Sequence, residues 1–155
     1  MTDKRTKPSL CKTSLHIFLN WVFFSTCLNL CWEILHYPLY NVSTSHLGGI
    51  AALAILHCTL GDALISAFAF LFTAILVRDS RWPDTHRWQG LFVFAGMAVA
   101  YTAFSEWKNT EVSGSWTYAS QMPQIWNIGA SPLLQWVVVP VITLWLNSVK
   151  VGPNK

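Results

Sequence analysis

The chain has 155 residues and a formal net charge of +3 at pH 7, with a composition that is 53% hydrophobic and only 11% charged. A water-soluble domain carries about 25% charged residues, so this composition excludes an ordinary soluble globule. Between Thr13 and Val77 stand just two charges, Glu33 and Asp62, and tracts this apolar belong in a bilayer.

A basic tail, residues 1–14, carries Lys4, Arg5, Lys7 and Lys12 and precedes the first apolar tract, about 15–37, which Pro38 closes. This start resembles a signal peptide. The run is too long for one, however, and it ends Tyr37-Pro38-Leu39-Tyr40 without a small-residue cleavage site, so it reads as an uncleaved span. The second tract covers about 47–77. At 1.5 Å per residue it would reach roughly 46 Å, well beyond the ~30 Å hydrocarbon core. Its first turns at Gly48-Gly49 are therefore expected to emerge, with a strong tilt or a break near Gly61 as alternatives. Polar residues Arg78-Asp79-Ser80-Arg81 follow. The third tract covers about 90–107, a loop occupies 108–131, the fourth tract (about 133–149) contains Pro140, and 150–155 form a tail.

Residues 63–77 are apolar on every face, which suits a helix and not the alternating strands of a membrane barrel. The predicted fold class is all-α: a polytopic, four-transmembrane-helix bundle forming one domain over 15–149.

Lys and Arg set the orientation. Besides the tail, Arg78, Arg81 and Arg87 lie in the second loop and Lys150 and Lys155 in the C-terminal tail, whereas the other side has only Lys108. Both termini are thus expected in the cytoplasm, with loops 38–46 and 108–131 outside and the bacterial inner (plasma) membrane as location. Orientation explains the positive charge, so no nucleic-acid partner is called for; membrane lipids are the expected surroundings. Trp21, Trp88, Trp107, Trp136 and Trp145 are in part candidates for interfacial anchors. The 108–131 loop, with Trp116, Tyr118 and Met122-Pro123-Gln124-Ile125-Trp126, is too apolar to float in water. It predicts a lid or lipid-facing platform over the bundle mouth, weighed against a plain aromatic belt.

Polar groups inside the spans are the costly ones. An Asp or Glu at mid-bilayer costs about 2.5–3.5 kcal/mol and marks a site by default. The plainer reading is a helix-to-helix hydrogen bond worth ~0.6 kcal/mol. Asn29, Glu33 and His36 fall at i, i+4 and i+7 on one face of the first span, with Cys27 and Cys31 on another side. His57, Cys58, Thr59 and Asp62 cluster on the second, where Asp62 shares a face with Cys58 and Ser66 and lies roughly 140° from His57. On the third, Tyr101 aligns with Ser105 and Thr102 with Glu106; on the fourth, Gln135 comes one turn after Ser131-Pro132. All four spans bring these groups towards the outer half. The expectation is an outward-facing pocket of Glu33, His57, Asp62, Glu106 and Gln135.

Carboxylates and a histidine in an apolar pocket suit acid/base chemistry on a lipid or isoprenoid ligand. Glu33 and Glu106 are the expected acid/base pair, and His57 and Asp62 the shuttle or orienting pair. Asn29, Tyr101, Trp107, Trp116, Tyr118 and Gln135 are the expected binding residues. Alternatives are an ion- or proton-coupled transporter or channel subunit, which would need a homo-oligomer, and a non-catalytic membrane accessory protein. Metal or haem binding is a further alternative: Cys27 and Cys31 could ligate a soft metal and Glu33, His57 and Glu106 a divalent one, but no Cys-x-x-Cys or His-x-x-x-His pair signals it, and the cofactor is left open.

The runs Trp32-Glu33-Ile34-Leu35-His36-Tyr37-Pro38-Leu39-Tyr40, His57-Cys58-Thr59-Leu60-Gly61-Asp62 and Ser105-Glu106-Trp107-Lys108-Asn109-Thr110-Glu111 carry a resemblance. It extends through Gly114-Ser115-Trp116-Thr117-Tyr118 and Ser131-Pro132-Leu133-Leu134-Gln135-Trp136. Together they resemble a family of small four-helix bacterial membrane proteins, over most of the chain beyond the tail. The resemblance implies the fold and no particular activity. The set of acid, His and Trp groups is also similar, by analogy only, to the sterol isomerase and sigma-2 receptor superfamily.

Overall fold

The computed structural model describes residues 10–41 and 48–150. The expected tail at 1–9, the polar run 42–47 and residues 151–155 lie outside the described residues. Four helices are long and apolar enough to cross a membrane. They are α1 (Leu10–His36), α2 (Gly48–Val77), α4 (Arg87–Trp107) and α5 (Ala130–Lys150), with a four-residue α3 (Trp82–Thr85) in the turn between α2 and α4. They pack as a ring in which α1 neighbours α2 and α5, and α4 neighbours the same two. Successive helices run in opposite directions, so the bundle has a turn end, where α3 lies, and a loop end.

Three of the helices begin several residues before their predicted starts, because local hydrogen bonding carries a helix past the edge of its apolar tract. Pro132 does not delay α5, since the first turn has no intrahelical use for the missing N–H. The helix also continues through Pro140. α2 runs unbroken through Gly61, which overturns the alternative of a break there. It ends in a Schellman motif: Asp79 N–H donates to the Ala74 carbonyl (3.0 Å), Arg78 N–H to that of Ile75 (3.2 Å), and Arg78 takes a left-handed φ of 57°.

The interior is divided along its length. Towards the turn end, Trp21, Phe70, Trp82 and Phe94 interlock, Trp21 and Trp82 with ring centroids 4.8 Å apart, and Phe94 reaches Trp136 at 6.3 Å. Trp21 and Trp136 are fully buried, so these two of the five candidate anchors belong to the core; Trp88, Trp107 and Trp145 stay exposed. Gly90 lets α4 pass against the Trp82 ring, for a Cβ there would lie 2.7 Å from Cδ2 and closer still to Cε3. Towards the loop end the buried positions turn polar. On α1 they run Ser25, Asn29, Glu33 and His36, while Phe23, Leu30, Ile34 and Leu35 face outwards.

The 108–131 segment adds structure that the all-α expectation lacked. A five-residue π-helical turn, Lys108–Val112, prolongs α4. β1 (Tyr40–Asn41) pairs antiparallel with β2 (Thr117–Tyr118), and β3 (Gln124–Ile125) with β4 (Ile128–Gly129). Strands of two residues are too short to leave a periodic signal in sequence. The β3–β4 turn puts Trp126 and Asn127 both at positive φ, 52° and 63°, the backbone sense of a two-residue hairpin loop.

Candidate functional site

α1 builds the centre of the site, because residues four and three apart stack on one face. Glu33 and His36 are one turn apart, with Oε1 and Nε2 at 3.1 Å. The other ring nitrogen, Nδ1, lies 3.1 Å from the Ser131 hydroxyl at the start of α5. From α5, the Gln135 amide donates to Asp62 Oδ2 (2.7 Å) on α2 and to Asn29 Oδ1 (3.1 Å) on α1, tying three helices together. Glu33, Cys58 and Asp62 line the same cavity. Below this group Ser25 and Ser66 share a hydrogen bond of 2.8 Å.

Glu106 has a different setting. Its carboxyl accepts from Tyr118 OH (2.6 Å), Trp116 Nε1 (3.4 Å) and Tyr40 OH (3.4 Å to either oxygen). Tyr40 and Tyr118 stand opposite each other in the β1–β2 ladder. The carboxyl therefore fastens that ladder to the end of α4. Burial first, and Glu106 second, push both tyrosine hydroxyls well above the ordinary tyrosine range, so they remain protonated donors.

A cavity of about 890 Å³ connects these groups. It is lined by Glu33, His36, Asp62, Glu106 and Gln135 at the loop end and continues as an apolar groove between α2 and α4. Leu64, Phe68, Leu71 and Ile75, at helical spacing along α2, line it and are also exposed on the bundle exterior. The groove therefore opens sideways, on the face where a membrane's hydrocarbon would lie. Gly61 borders it beside Asp62, with no atom within 4 Å of where a Cβ would stand.

The structure thus brings Asp62, Asn29 and Gln135 into one hydrogen-bonded group, Glu33 and His36 into a pair on the same cavity, and Glu106, Trp116 and Tyr118 into a further group. Tyr101 lies on the groove's exposed edge. Two expected residues lie outside these hydrogen-bonded groups, although His57 lines the cavity. His57 is on the exposed rim, one residue out of phase with Cys58 and Asp62, and makes no hydrogen bond to the carboxyls. Trp107 faces outwards against Phe104, with centroids 6.1 Å apart, and does not line the cavity. His36 is the histidine that contacts a carboxyl, and its i, i+3 spacing from Glu33 is the signal for it in the sequence. Tyr40 and Ser131 are further site residues that their sequence spacing did not mark. Cys27 and Cys31 lie exposed on the outer face of α1. Among the described residues, no three His, Cys, Asp or Glu side chains are grouped so as to hold a metal ion. No family model, curated protein or solved structure matches the chain.

Proposed function

We propose that the protein is a four-span inner-membrane protein with both termini cytoplasmic, whose groove between α2 and α4 is an intramembrane site for acid/base chemistry on a lipid-like or isoprenoid substrate. The observation that carries this reading is the groove itself: apolar along its length, open sideways, and ending on two carboxyls, Glu33 and Asp62. Its volume of about 890 Å³ lies near the top of the roughly 300–1,000 Å³ range of small-molecule sites. The topology rests on Arg78, Arg81 and Arg87 at the turn end against Lys108 at the loop end. Glu33 and Asp62 are the proton-handling pair, since a buried carboxyl can take up a proton or give one up. His36 bridges Glu33 to Ser131 and orients it; Glu106 holds the loop over the mouth. The Trp21–Phe70–Trp82–Phe94 plug leaves the polar track one mouth, which suits a substrate site better than a conduction path.

Native mass spectrometry of protein extracted in mild detergent tests this. A reproducible lipid-type adduct is expected on the natural sequence and absent from Gly61→Leu, whose side chain fills the groove where a Cβ meets nothing. An adduct that survives Gly61→Leu, or a bare protein in every preparation, refutes the site.

A further inference from the structure

We propose that the head group accepted by this groove is a protonated amine on a long hydrocarbon chain, and not a phosphate or diphosphate; the inference rests on the groove being a lipid-type site. The groups lining the cavity that can carry charge are three carboxyls, Glu33, Asp62 and Glu106, and two histidines, His36 beside Glu33 and His57 on the rim; among the described residues no Lys or Arg lines it. A phosphate entering a low-dielectric site needs Arg, Lys or a free helix N-terminus to replace its water. The nearest such end, that of α5, offers little: the Ala130 N–H is taken by the Pro123 carbonyl (2.7 Å), and Pro132 has no N–H. Bringing an anion there would set it against charges of its own sign. A protonated amine brings the missing opposite charge together with several N–H donors for a site rich in acceptors.

A second observation points to an absent ligand. Thr102, 7% exposed, lines the cavity one turn from Glu106, and its hydroxyl has no hydrogen-bond partner among the described residues. A helical threonine ordinarily satisfies its hydroxyl on a carbonyl of the preceding turn. The buried Thr73 and Thr143 hydroxyls lack a partner too, but of these three only Thr102 lines the cavity, where an N–H donor bridging it and the carboxyls would satisfy it. The length of the groove sets the chain. From Asp62 to Ile75 it runs thirteen residues of unbroken α2, about 20 Å at 1.5 Å each, more than one leaflet's share of the ~30 Å hydrocarbon core.

The test uses the full chain in a non-ionic detergent and three probes that differ only in the head: hexadecylamine, hexadecyl phosphate and hexadecanol. Competitive native mass spectrometry should show one hexadecylamine per chain, bound about tenfold or more tighter than the phosphate or the alcohol. Asp62→Asn, which keeps an acceptor for Gln135, and Thr102→Val should each weaken the amine and leave the alcohol unchanged. Gly61→Leu should exclude all three. Phosphate or alcohol binding as tightly as the amine overturns the head-group assignment and leaves the groove standing. No binding of any probe, or binding indifferent to Gly61→Leu, overturns both.

Discussion

Replacing Tyr118 with Phe isolates the contact that fastens the β1–β2 ladder to the bundle. The hydroxyl donates to Glu106 Oε2 at 2.6 Å, the length of a charge-assisted O–H···O bond. Bonds to charged groups are worth about 1.5–3 kcal/mol. Two donors already point at the same carboxyl from 3.4 Å, Tyr40 OH and Trp116 Nε1, and can close in when the hydroxyl is gone. The lower end therefore applies, about 1.5 kcal/mol, or roughly tenfold in the opening equilibrium of the ladder. The phenyl ring keeps its packing on Gly129, so the effect should be polar and local. Hydrogen exchange by mass spectrometry reads it directly. Amides of residues 40–41 and 117–119, including the Ala119 N–H bonded to the Leu39 carbonyl, should exchange about tenfold faster, with α1 and α5 unchanged. Once Glu106→Gln is present, Tyr118→Phe should add much less, because both remove one interaction. Unchanged exchange in the ladder, or full additivity, would refute the claim that Glu106 is its anchor.

The glycines of α4 give a matched pair. Gly96→Ala meets nothing within 4 Å and should gain the helical preference of about 1 kcal/mol, whereas Gly90→Ala drives a methyl into Trp82, itself locked among Trp21, Phe70 and Phe94. Overpacking of about 1–3 kcal/mol outweighs that gain, so Gly90→Ala should melt lower than Gly96→Ala; the reverse order would sink the packing argument. Ser25→Ala strands the fully buried Ser66 hydroxyl and should cost about 1 kcal/mol, while Ser66→Ala costs less because Ser25 keeps the Val22 carbonyl at 3.1 Å; chemical denaturation in mixed micelles measures both. The Arg81 N–H and the Thr85 hydroxyl, each at 2.8 Å, hold the Asp79 carboxyl below its usual range. A lowered folded pKa means that its stabilisation is present above the unfolded value of about 3.9 and is lost as pH falls through the folded one. Thermal melts should therefore separate the natural chain from Asp79→Asn at neutral pH and bring them together in acid, and a gap that widens in acid would contradict the sign.

Much of this fold is legible in the sequence, because a bilayer-length apolar tract with two charges in 65 residues leaves helices as the one way to satisfy the backbone. The α1 face is legible for the same reason: Asn29, Glu33 and His36 keep helical phase, and all three are buried. The choice of histidine was less so. His57 was placed by depth alone, yet one residue turns a helical side chain by about 100°, enough to move it from the Asp62 face to the rim. The partners of Glu106 were hidden differently. Tyr40 lies 66 positions away and reaches it through a two-residue ladder, too short for any pattern to register. Tryptophan gives a third case, since an indole suits an interfacial belt or a core equally well. Only the close approach of α4 at Gly90 decides that Trp82 plugs the bundle.

The three carboxyls are not equivalent, and their surroundings assign the difference. Glu106 receives donors from three aromatic side chains of the loop and its flanks, so its oxygens are already occupied by the protein. A carboxyl so enclosed fastens the loop to the end of α4. Glu33 has the His36 ring nitrogen at 3.1 Å and Asp62 the Gln135 amide at 2.7 Å, and both line the cavity where the apolar groove ends. Along α2, Asp62 is followed by Leu64, Phe68, Leu71 and Ile75, so an acid stands at the head of an apolar wall. On the proposed function the loop would govern access through Glu106, and the helices would govern reaction through Glu33 and Asp62. The two sets differ in what already holds them: Glu106 has three aromatic donors of the loop and its flanks, whereas Glu33 has His36 and Asp62 has Gln135.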